Sequence, residues 1–374
     1  MLGSTQHIVW STAAMSEQLK TPLHSEHLAL NARMVDFGGW DMPVQYTGAN
    51  AEHEAVRNSS GMFDVSHMGE VWLRGPNALE DVDRLVTNSV ASLVNGKACY
   101  AGLLNEQGGF IDDLIVYRFA DDELLICLNA SNATRDIEWI RSHASSGTEV
   151  VDACADFAQI AVQGPDAVAL VDGLSSSDLI ALEPFSMLRC SVAGVDGVIA
   201  ARTGYTGEDG FELYIPSDHA VAIWRALLDL GVTPCGLGAR DSLRLEMKYA
   251  LYGNDIDEQI NPIEAGLGWI CKDKLKDFIG AEAVRATRAE KPKRKLVGLV
   301  LEGRRVARSG SVVVDDQGTN IGRVTSGAFS PSLKKSIAVA LVPTEFARVE
   351  TPLGVDIRGR VHQAVVVKTP FYKR

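Results

Sequence analysis

Thirteen residues, Arg202-Thr203-Gly204-Tyr205-Thr206-Gly207-Glu208-Asp209-Gly210-Phe211-Glu212-Leu213-Tyr214, gather three glycines, two tyrosines and three carboxylates just ahead of an apolar, alternating run. Glycine admits backbone angles closed to other residues and lets a ligand approach the main chain, so the segment reads as a recognition loop feeding a strand. Glu212 lies in the strand, whereas Glu208 and Asp209 fall at the turn, where they are expected to be solvated or to shape it. A second acidic group, Asp112-Asp113, follows Gly108-Gly109 and opens the run Leu114-Ile115-Val116-Tyr117. Consecutive strand residues face opposite ways, which puts Asp113, Ile115 and Tyr117 on one face. A carboxylate among apolar side chains is costly unless paired, so it has either a structural partner or a ligand. The third group is the helix pattern Gly236 to Tyr249, with Leu243 and Met247 on one stripe and Arg240 near its first turn. A cation there opposes the helix dipole and calls for an anion, either a neighbouring carboxylate or a bound one.

The chemistry on offer therefore rests on carboxylates, tyrosines and arginine. No Walker loop, G-x-S-x-G elbow or Cys/His nucleophile signature is present, and Gly236-x-Gly238 lacks the third glycine of a dinucleotide fingerprint. His24-Ser25-Glu26-His27 has metal-capable side chains but no further cluster at ligand spacing, so a surface role and no metal are expected.

The elements that must hold these groups repeat. A strand at Glu70 to Leu73 runs through Gly75-Pro76 into a helix, Leu79 to Val86; the same grammar returns at Ile160 to Val162, Gly164-Pro165 and Ala167 to Val171, 89 residues later. Downstream, the strand Leu124 to Leu128 leads through Asn129 to Asn132 into a helix, Asp136 to His143, and Phe211 to Ile215 leads through Ser217-Asp218 into Ala220 to Leu230. This is read as a diverged duplication of a strand-helix-strand-strand-helix unit. After a helix at Ile279 to Arg288, the run Lys291-Pro292-Lys293-Arg294-Lys295 marks a linker. Short β-type runs follow at Leu296 to Leu301, Ser311 to Val314, Ile337 to Leu341 and Ala364 to Val367, as in a separate antiparallel barrel or roll.

At 374 residues the chain has room for two or three domains, and 46% hydrophobic with 22% charged residues is an ordinary globular balance. Its net charge of −12 argues against a nucleic-acid partner. Apolar runs such as Leu124 to Leu128 are far short of the roughly 20 residues of a membrane span. Cys99, Cys127, Cys154, Cys190, Cys235 and Cys271 are spread singly and read as reduced thiols. Residues 1 to 16 hold no acid but also no Arg, a poor example of an organelle presequence. A targeting segment, a cloning remnant and a disordered extension all remain open there.

Five stretches, Arg33 to Tyr46, Phe63 to Gly69, Gly204 to Glu212, Ala239 to Glu246 and Tyr252-Gly253-Asn254-Asp255, together resemble the aminomethyltransferase, or T-protein, family of the glycine cleavage system, in order from about Thr21 to the C-terminus. The resemblance implies an α+β, three-domain, clover-like folate-binding fold with a duplicated α/β unit and a C-terminal β-barrel-like domain. The expected division is 21–290 for the folate-binding region, with copies at about 60–150 and 151–275, and 291–374 for the β domain. The family reaction takes the aminomethyl group from the dihydrolipoyl arm of H-protein to tetrahydrofolate and yields 5,10-methylenetetrahydrofolate and ammonia, with no metal. By motif, Asp113 becomes the catalytic acid, Glu212 the acceptor for the pterin, and Arg240, Tyr100, Tyr117, Asn129, Tyr205 and Tyr249 further folate-site residues; Arg374 stands where the family places a folate-tail residue. The pocket should then lie between the two copies. The basic sets Lys291 to Lys295 and Arg304, Arg305, Arg308 are either a solvated face or an attraction for an acidic carrier. The expected location is the mitochondrial matrix for a eukaryotic chain and the cytoplasm for a bacterial one. Alternatives are a folate-dependent demethylase and a non-enzymatic folate-binding relative involved in iron–sulfur assembly.

Overall fold

The computed structural model describes residues 18–272 and 277–374; the segment 1–16 and the expected copy boundary at 275 lie outside the described residues. The chain opens with α1 (His24–Ala29), the hairpin β1 (Arg33–Phe37) and β2 (Trp40–Gln45), α2 (Ala49–Asn58) and β3 (Gly61–Asp64). A first unit follows: β4 (Gly69–Arg74), α3 (Ala78–Leu85), β5 (Lys97–Leu104), β6 (Phe110–Ala120), β7 (Glu123–Leu128), α4 (Ala133–His143) and β8 (Glu149–Asp152). Its counterpart is β9 (Phe157–Gln163), α5 (Ala167–Asp172), β10 (Met187–Val192), β11 (Val195–Ala201), β12 (Gly210–Pro216), α6 (Ala220–Asp229) and β13 (Thr233–Pro234).

The strand orders are β5-β6-β7-β4-β8 and β10-β11-β12-β9-β3-β13, the same path except that β3 is inserted into the second sheet. Register agrees too: β4 opposes Trp72 to Leu125 of β7, and β9 opposes Ala161 to Glu212 of β12. After each leading strand the turn passes through a glycine at positive φ, Gly75 at +117° and Gly164 at +133°. A Cβ at these positions would stand 2.4 Å from the Gly147 carbonyl oxygen and 2.3 Å from that of Ser59, so both turns need glycine.

Period-2 alternation sorts the side chains of each sheet. Leu124, Ile126 and Leu128 of β7 pack against α3 and α4, and Phe211, Leu213 and Ile215 of β12 against α5 and α6. The opposite faces meet in one layer that includes Trp72, Tyr117, Leu125, Ile199 and Tyr214. That shared layer is where side chains from both units come together.

Beyond α7 (Leu237–Glu246), α8 (Pro262–Ala265) and α9 (Ala281–Glu290) comes a closed antiparallel barrel of β14 (Arg294–Leu301), β15 (Val312–Val314), β16 (Asn320–Ser330), β17 (Lys335–Pro343), β18 (Pro352–Asp356) and β19 (Val361–Val367). The fold is thus α+β with a C-terminal β-barrel, as expected. Strands β16 and β18 add to the four apolar runs. In β16 the pattern is hidden by a bulge between Val324 and Ser326, and by Gly322 and Gly327, where a Cβ would lie 2.2 Å and 1.9 Å from backbone oxygens of Leu341 and Ala307. The basic linker is partly strand: Arg294 opens β14 and pairs with Glu264 at 2.9 Å.

One expectation is overturned. The cluster His24 to His27 is not a surface patch, because His27 is fully buried between Asp64 Oδ2 at 2.8 Å and the Tyr46 hydroxyl at 2.9 Å, while Glu26 holds Arg225 at 2.8 Å. Partners 17 and more residues away in sequence supply the polar contacts that make this burial tolerable. Among the described residues no helix is long and apolar enough to cross a membrane, and no group of three His, Cys, Asp or Glu could hold a metal ion.

Candidate active site

Strand β6 carries Asp113 on the face that turns to the layer between the sheets, as alternation predicts. Its carboxylate accepts the Tyr100 hydroxyl at 2.9 Å and the Asn129 side-chain amide at 3.0 Å. Tyr100 comes from the neighbouring strand β5, and Asn129 from the turn where β7 gives way to α4. Burial, and then the charge of Asp112, push the Asp113 carboxyl up to about 7. Asp112 points the other way and accepts the Asn129 backbone amide at 2.9 Å, the Asn129 side chain at 2.8 Å and the Asn132 side chain at 2.7 Å.

Glu212 stands on β12 in the second sheet. The Thr203 hydroxyl donates to it at 2.6 Å and Gln159 Nε2 at 3.4 Å. Burial raises its proton affinity, while the Thr203 hydrogen bond and the Arg240 charge pull the other way. Tyr117 is fully buried behind this acid. It accepts the Tyr214 hydroxyl at 2.9 Å and stands 3.3 Å from Thr203 Oγ1, so a chain of hydroxyls from both sheets ends on Glu212.

Arg240, in the first turn of α7, is half-buried and makes no ion pair among the described residues. Its guanidinium lies 4.7 Å from the centroid of the Tyr205 ring, a cation–π contact. The anion that its place on the helix calls for is therefore not a carboxylate of the described chain. Tyr205 stacks on Tyr249 at 5.8 Å, donates its hydroxyl to the Ala250 carbonyl, and feels the charges of both Asp113 and Arg240. On the outer side of Tyr100, 6.0 Å away, is Trp269, an indole 58% exposed.

The structure thus brings Asp113, Tyr100, Asn129, Glu212, Arg240, Tyr205 and Tyr249 around the junction of the two sheets and α7, with Tyr117 as a brace behind them. Arg374 sits 3.4 Å from Glu208, which also takes Arg57 at 2.8 Å. Glu208 is consequently buried and not solvated, because two arginines distant in sequence neutralise it. Asp209 shapes the loop, accepting Arg202 at 3.0 and 2.7 Å and its neighbour Gly210 N–H at 2.9 Å. Sequence reading passed over Thr203, Gln159, Asn132, Asp136 and Trp269. Only Thr203 carried a signal, as a hydroxyl inside the glycine-punctuated loop. A depression of about 590 Å³ opens on the barrel rim near Arg304, Lys334 and Gln363, away from all these acids.

Two carboxyls with raised proton affinity, each fed by a hydroxyl donor, and one guanidinium that makes no ion pair among the described residues and lies among aromatic rings can bind a flat, polar heterocycle bearing an anionic group and move a proton on it.

Residues 23–274 match the family model described as the GCVT N-terminal domain, and residues 294–373 that of the glycine cleavage T-protein C-terminal barrel domain. The chain is 46% identical over 372 residues to the aminomethyltransferase of Acidobacterium capsulatum, covering 97% of this chain and 98% of that one. It is 45% identical over 361 residues to the aminomethyltransferase of Shouchella clausii, with 95% and 98% covered. Its fold is similar to the crystal structure of glycine cleavage system aminomethyltransferase T from Bartonella henselae, with a TM-score of 0.89, 34% identity, and 95% and 98% of the two chains covered.

Proposed function

The chain belongs to the glycine cleavage T-protein family of aminomethyltransferases, and from that premise we propose that it moves an aminomethyl group from the dihydrolipoyl arm of H-protein to tetrahydrofolate, giving 5,10-methylenetetrahydrofolate and ammonia. The observation that supports the reading is that Asp113 and Glu212 stand on strand faces that share one buried layer between the two sheets, with Arg240, which has no ion pair among the described residues, acting on Glu212 and lying against the Tyr205 ring.

Glu212 is the anchor. The pterin offers a ring N–H next to an exocyclic amine, and one carboxylate accepts both in parallel, which fixes orientation as well as affinity. The chain of hydroxyls through Thr203 and Tyr117 holds that carboxylate still. Tyr100, Tyr205 and Tyr249 supply aromatic surface for the flat ring and the adjoining aryl group. Arg240 takes a carboxylate of the folate tail, the anion its position demands. Asp113 is the catalytic acid and base. During transfer ammonia leaves the aminomethyl carbon and a first folate amine bonds there, its proton going with the ammonia; the carbon–sulfur bond then breaks to return the thiolate to the dihydrolipoyl arm, and the second folate amine bonds to the carbon and gives up a proton, which in the end neutralises that thiolate. A carboxyl poised near neutrality can take that proton, and its negative form stabilises the iminium cation between the two steps. Nothing in this sequence of steps calls for a metal or a covalent bond to the protein. Arg374, bound to Glu208, would reach a folate tail only by leaving that partner.

The division 21–290, with copies at about 60–150 and 151–275, and 291–374 belongs to this reading and is supported by the paired sheets and the barrel. Lipoylated H-protein is the partner it requires. The relatives named above are bacterial, which favours the cytoplasm over the mitochondrial matrix.

The test is turnover with aminomethyl-loaded H-protein and tetrahydrofolate. Wild type should form the methylene product, and Asp113→Asn should bind tetrahydrofolate yet transfer ~10²–10⁴-fold more slowly. An Asp113→Asn enzyme at full rate would remove Asp113 from the chemistry. A wild-type protein that binds folate but transfers nothing would favour the demethylase or iron–sulfur reading.

A further inference from the structure

We propose that the buried carboxyls of Asp136 and Asp112 share one proton, and that through it Asp136 positions and tunes Asp113. For its functional meaning this rests on the role of Asp113 given above; the proton itself does not.

Asp136 lies near the start of α4 with its side chain fully buried. One oxygen stands 3.2 Å from Arg135 Nε, and the other, Oδ2, is buried with no hydrogen-bond partner. The side chain next to it is that of Asp112, also fully buried and at hydrogen-bonding range. Two ionised carboxylates in contact away from water repel each other, and a buried oxygen with no partner forfeits its hydration. A single proton on Asp136 Oδ2, donated to Asp112, removes both penalties. Asp112 is the accepting end, because three N–H donors already converge on it from Asn129 and Asn132.

The other charges around the pair do not replace that proton. Arg135 is 44% exposed and divides itself among Asp136, Glu258 at 2.9 Å, the Tyr252 hydroxyl at 3.2 Å and the Ile111 carbonyl. Asp113 on the same strand adds negative charge, as does Glu258 from the segment after α7. Burial, and then the charge of Asp112, push the Asp136 carboxyl up to about 9, consistent with a proton held there at neutral pH.

The link to Asp113 runs through Asn129. Its Nδ2 is 2.8 Å from Asp112 Oδ1 and 3.0 Å from Asp113 Oδ1. An anionic Asp112 obliges this amide to turn its N–H₂ group toward both acids. A neutral Asp112 would tolerate the flipped amide, which offers Asp113 an oxygen in place of a donor. The anion also discourages ionisation of Asp113 next to it, which keeps that carboxyl poised near neutrality. Asp136 is thus a positioning residue, acting through Asp112 and Asn129.

Carboxyl-labelled [4-¹³C]aspartate, followed by NMR without any substrate, tests this apart from the activity. At pH 8, wild type should show one protonated aspartate that is absent from Asp136→Asn, whose amide still donates to Asp112 and should leave the Asp113 midpoint in place. In Asp136→Leu the donor at position 136 is lost and only the three N–H donors from Asn129 and Asn132 remain on Asp112, so Asp112 holds a proton more tightly and the Asp113 midpoint should fall by about one pH unit. No protonated aspartate in wild type at pH 8, or its persistence in Asp136→Asn, overturns the shared proton. An unmoved Asp113 midpoint in a folded Asp136→Leu protein overturns the tuning. Should that variant not fold, the wild-type and Asp136→Asn spectra still decide the first point.

Discussion

The two sheets follow one path yet contribute different chemistry. At the matching cross-strand position the first sheet pairs Tyr117 with Leu125, and the second pairs Ala201 with Glu212. A tyrosine beside a leucine occupies the inner face in one copy, and a small residue beside an acid in the other. The acid of the first sheet lies elsewhere, at Asp113 on β6, a strand of 11 residues where its counterpart β11 has 7. Asp113 is four residues before Tyr117, which at about 3.3 Å per residue sets it roughly 13 Å along the strand from that position. Repetition therefore built two matching frameworks, and divergence on their shared inner layer put Asp113 on one and Glu212 on the other, the two acids to which the proposal gives proton transfer and ring anchoring. The structural half of the duplication, the glycine turns, stayed equal.

The largest effect that could break this division is at Asp113. Asp113→Asn should lower kcat ~10²–10⁴-fold with little change in the KM for tetrahydrofolate, measured in steady-state assays. An equal rise in KM would make Asp113 an anchor as well and blur the contrast. Next, Gly75→Ala and Gly164→Ala should each destabilise the fold by about 3 kcal/mol or more, read from urea midpoints, because both need positive φ and both meet a backbone oxygen. A large difference between them would show that the frameworks are not equivalent. Glu212→Gln should then weaken folate binding by ~1.5–3 kcal/mol, about 10- to 150-fold in Kd by calorimetry, with kcat for bound substrate largely kept.

The smallest effect is a pH dependence of stability with opposite signs in two places. Asp113 and Asp136 hold protons more tightly folded than unfolded, so their contribution is complete below about pH 4 and is lost as pH rises through about 7 and about 9. Glu246 behaves in reverse: against the cost of burial, His53, Ser330 and Arg57 bring it down to about 2, so its contribution is present above the ordinary glutamate range and fades toward pH 2. Urea midpoints between pH 6 and 9 should fall less steeply in Asp136→Asn than in wild type. Parallel slopes would remove Asp136 from the titrating set.

Much of this was legible from local patterns. Alternation alone put Asp113, Ile115 and Tyr117 on one face, which the fold turns toward the second sheet, and the strand position of Glu212 separated it from Glu208 and Asp209. The Gly-Pro steps marked equivalent turns. What local patterns missed are contacts made over long sequence distances. Glu208 read as solvated or as shaping its turn, and the partner that excludes the first, Arg57, is 151 residues away. His27 read as surface, yet it is enclosed by Asp64 and Tyr46. The Tyr117 hydroxyl, read only as part of a residue lining the pocket, also joins Tyr214 and Thr203, 97 and 86 positions away, in the chain that ends on Glu212.

By itself, then, the sequence determined what is periodic or sterically obligatory: the faces of strands, the helical stripes, the glycine turns and the repeat. These depend on backbone geometry over a few residues, which neighbours in sequence suffice to set. Only the tertiary structure decided which charges are neutralised and which are left available. Arg57 and Arg374 take up Glu208, Arg240 is left without a carboxylate among the described residues, and Asp112 and Asp136, 24 positions apart, meet in a space too dry for two negative charges. Electrostatic energy depends on distance and burial in space, and neither can be read along the chain.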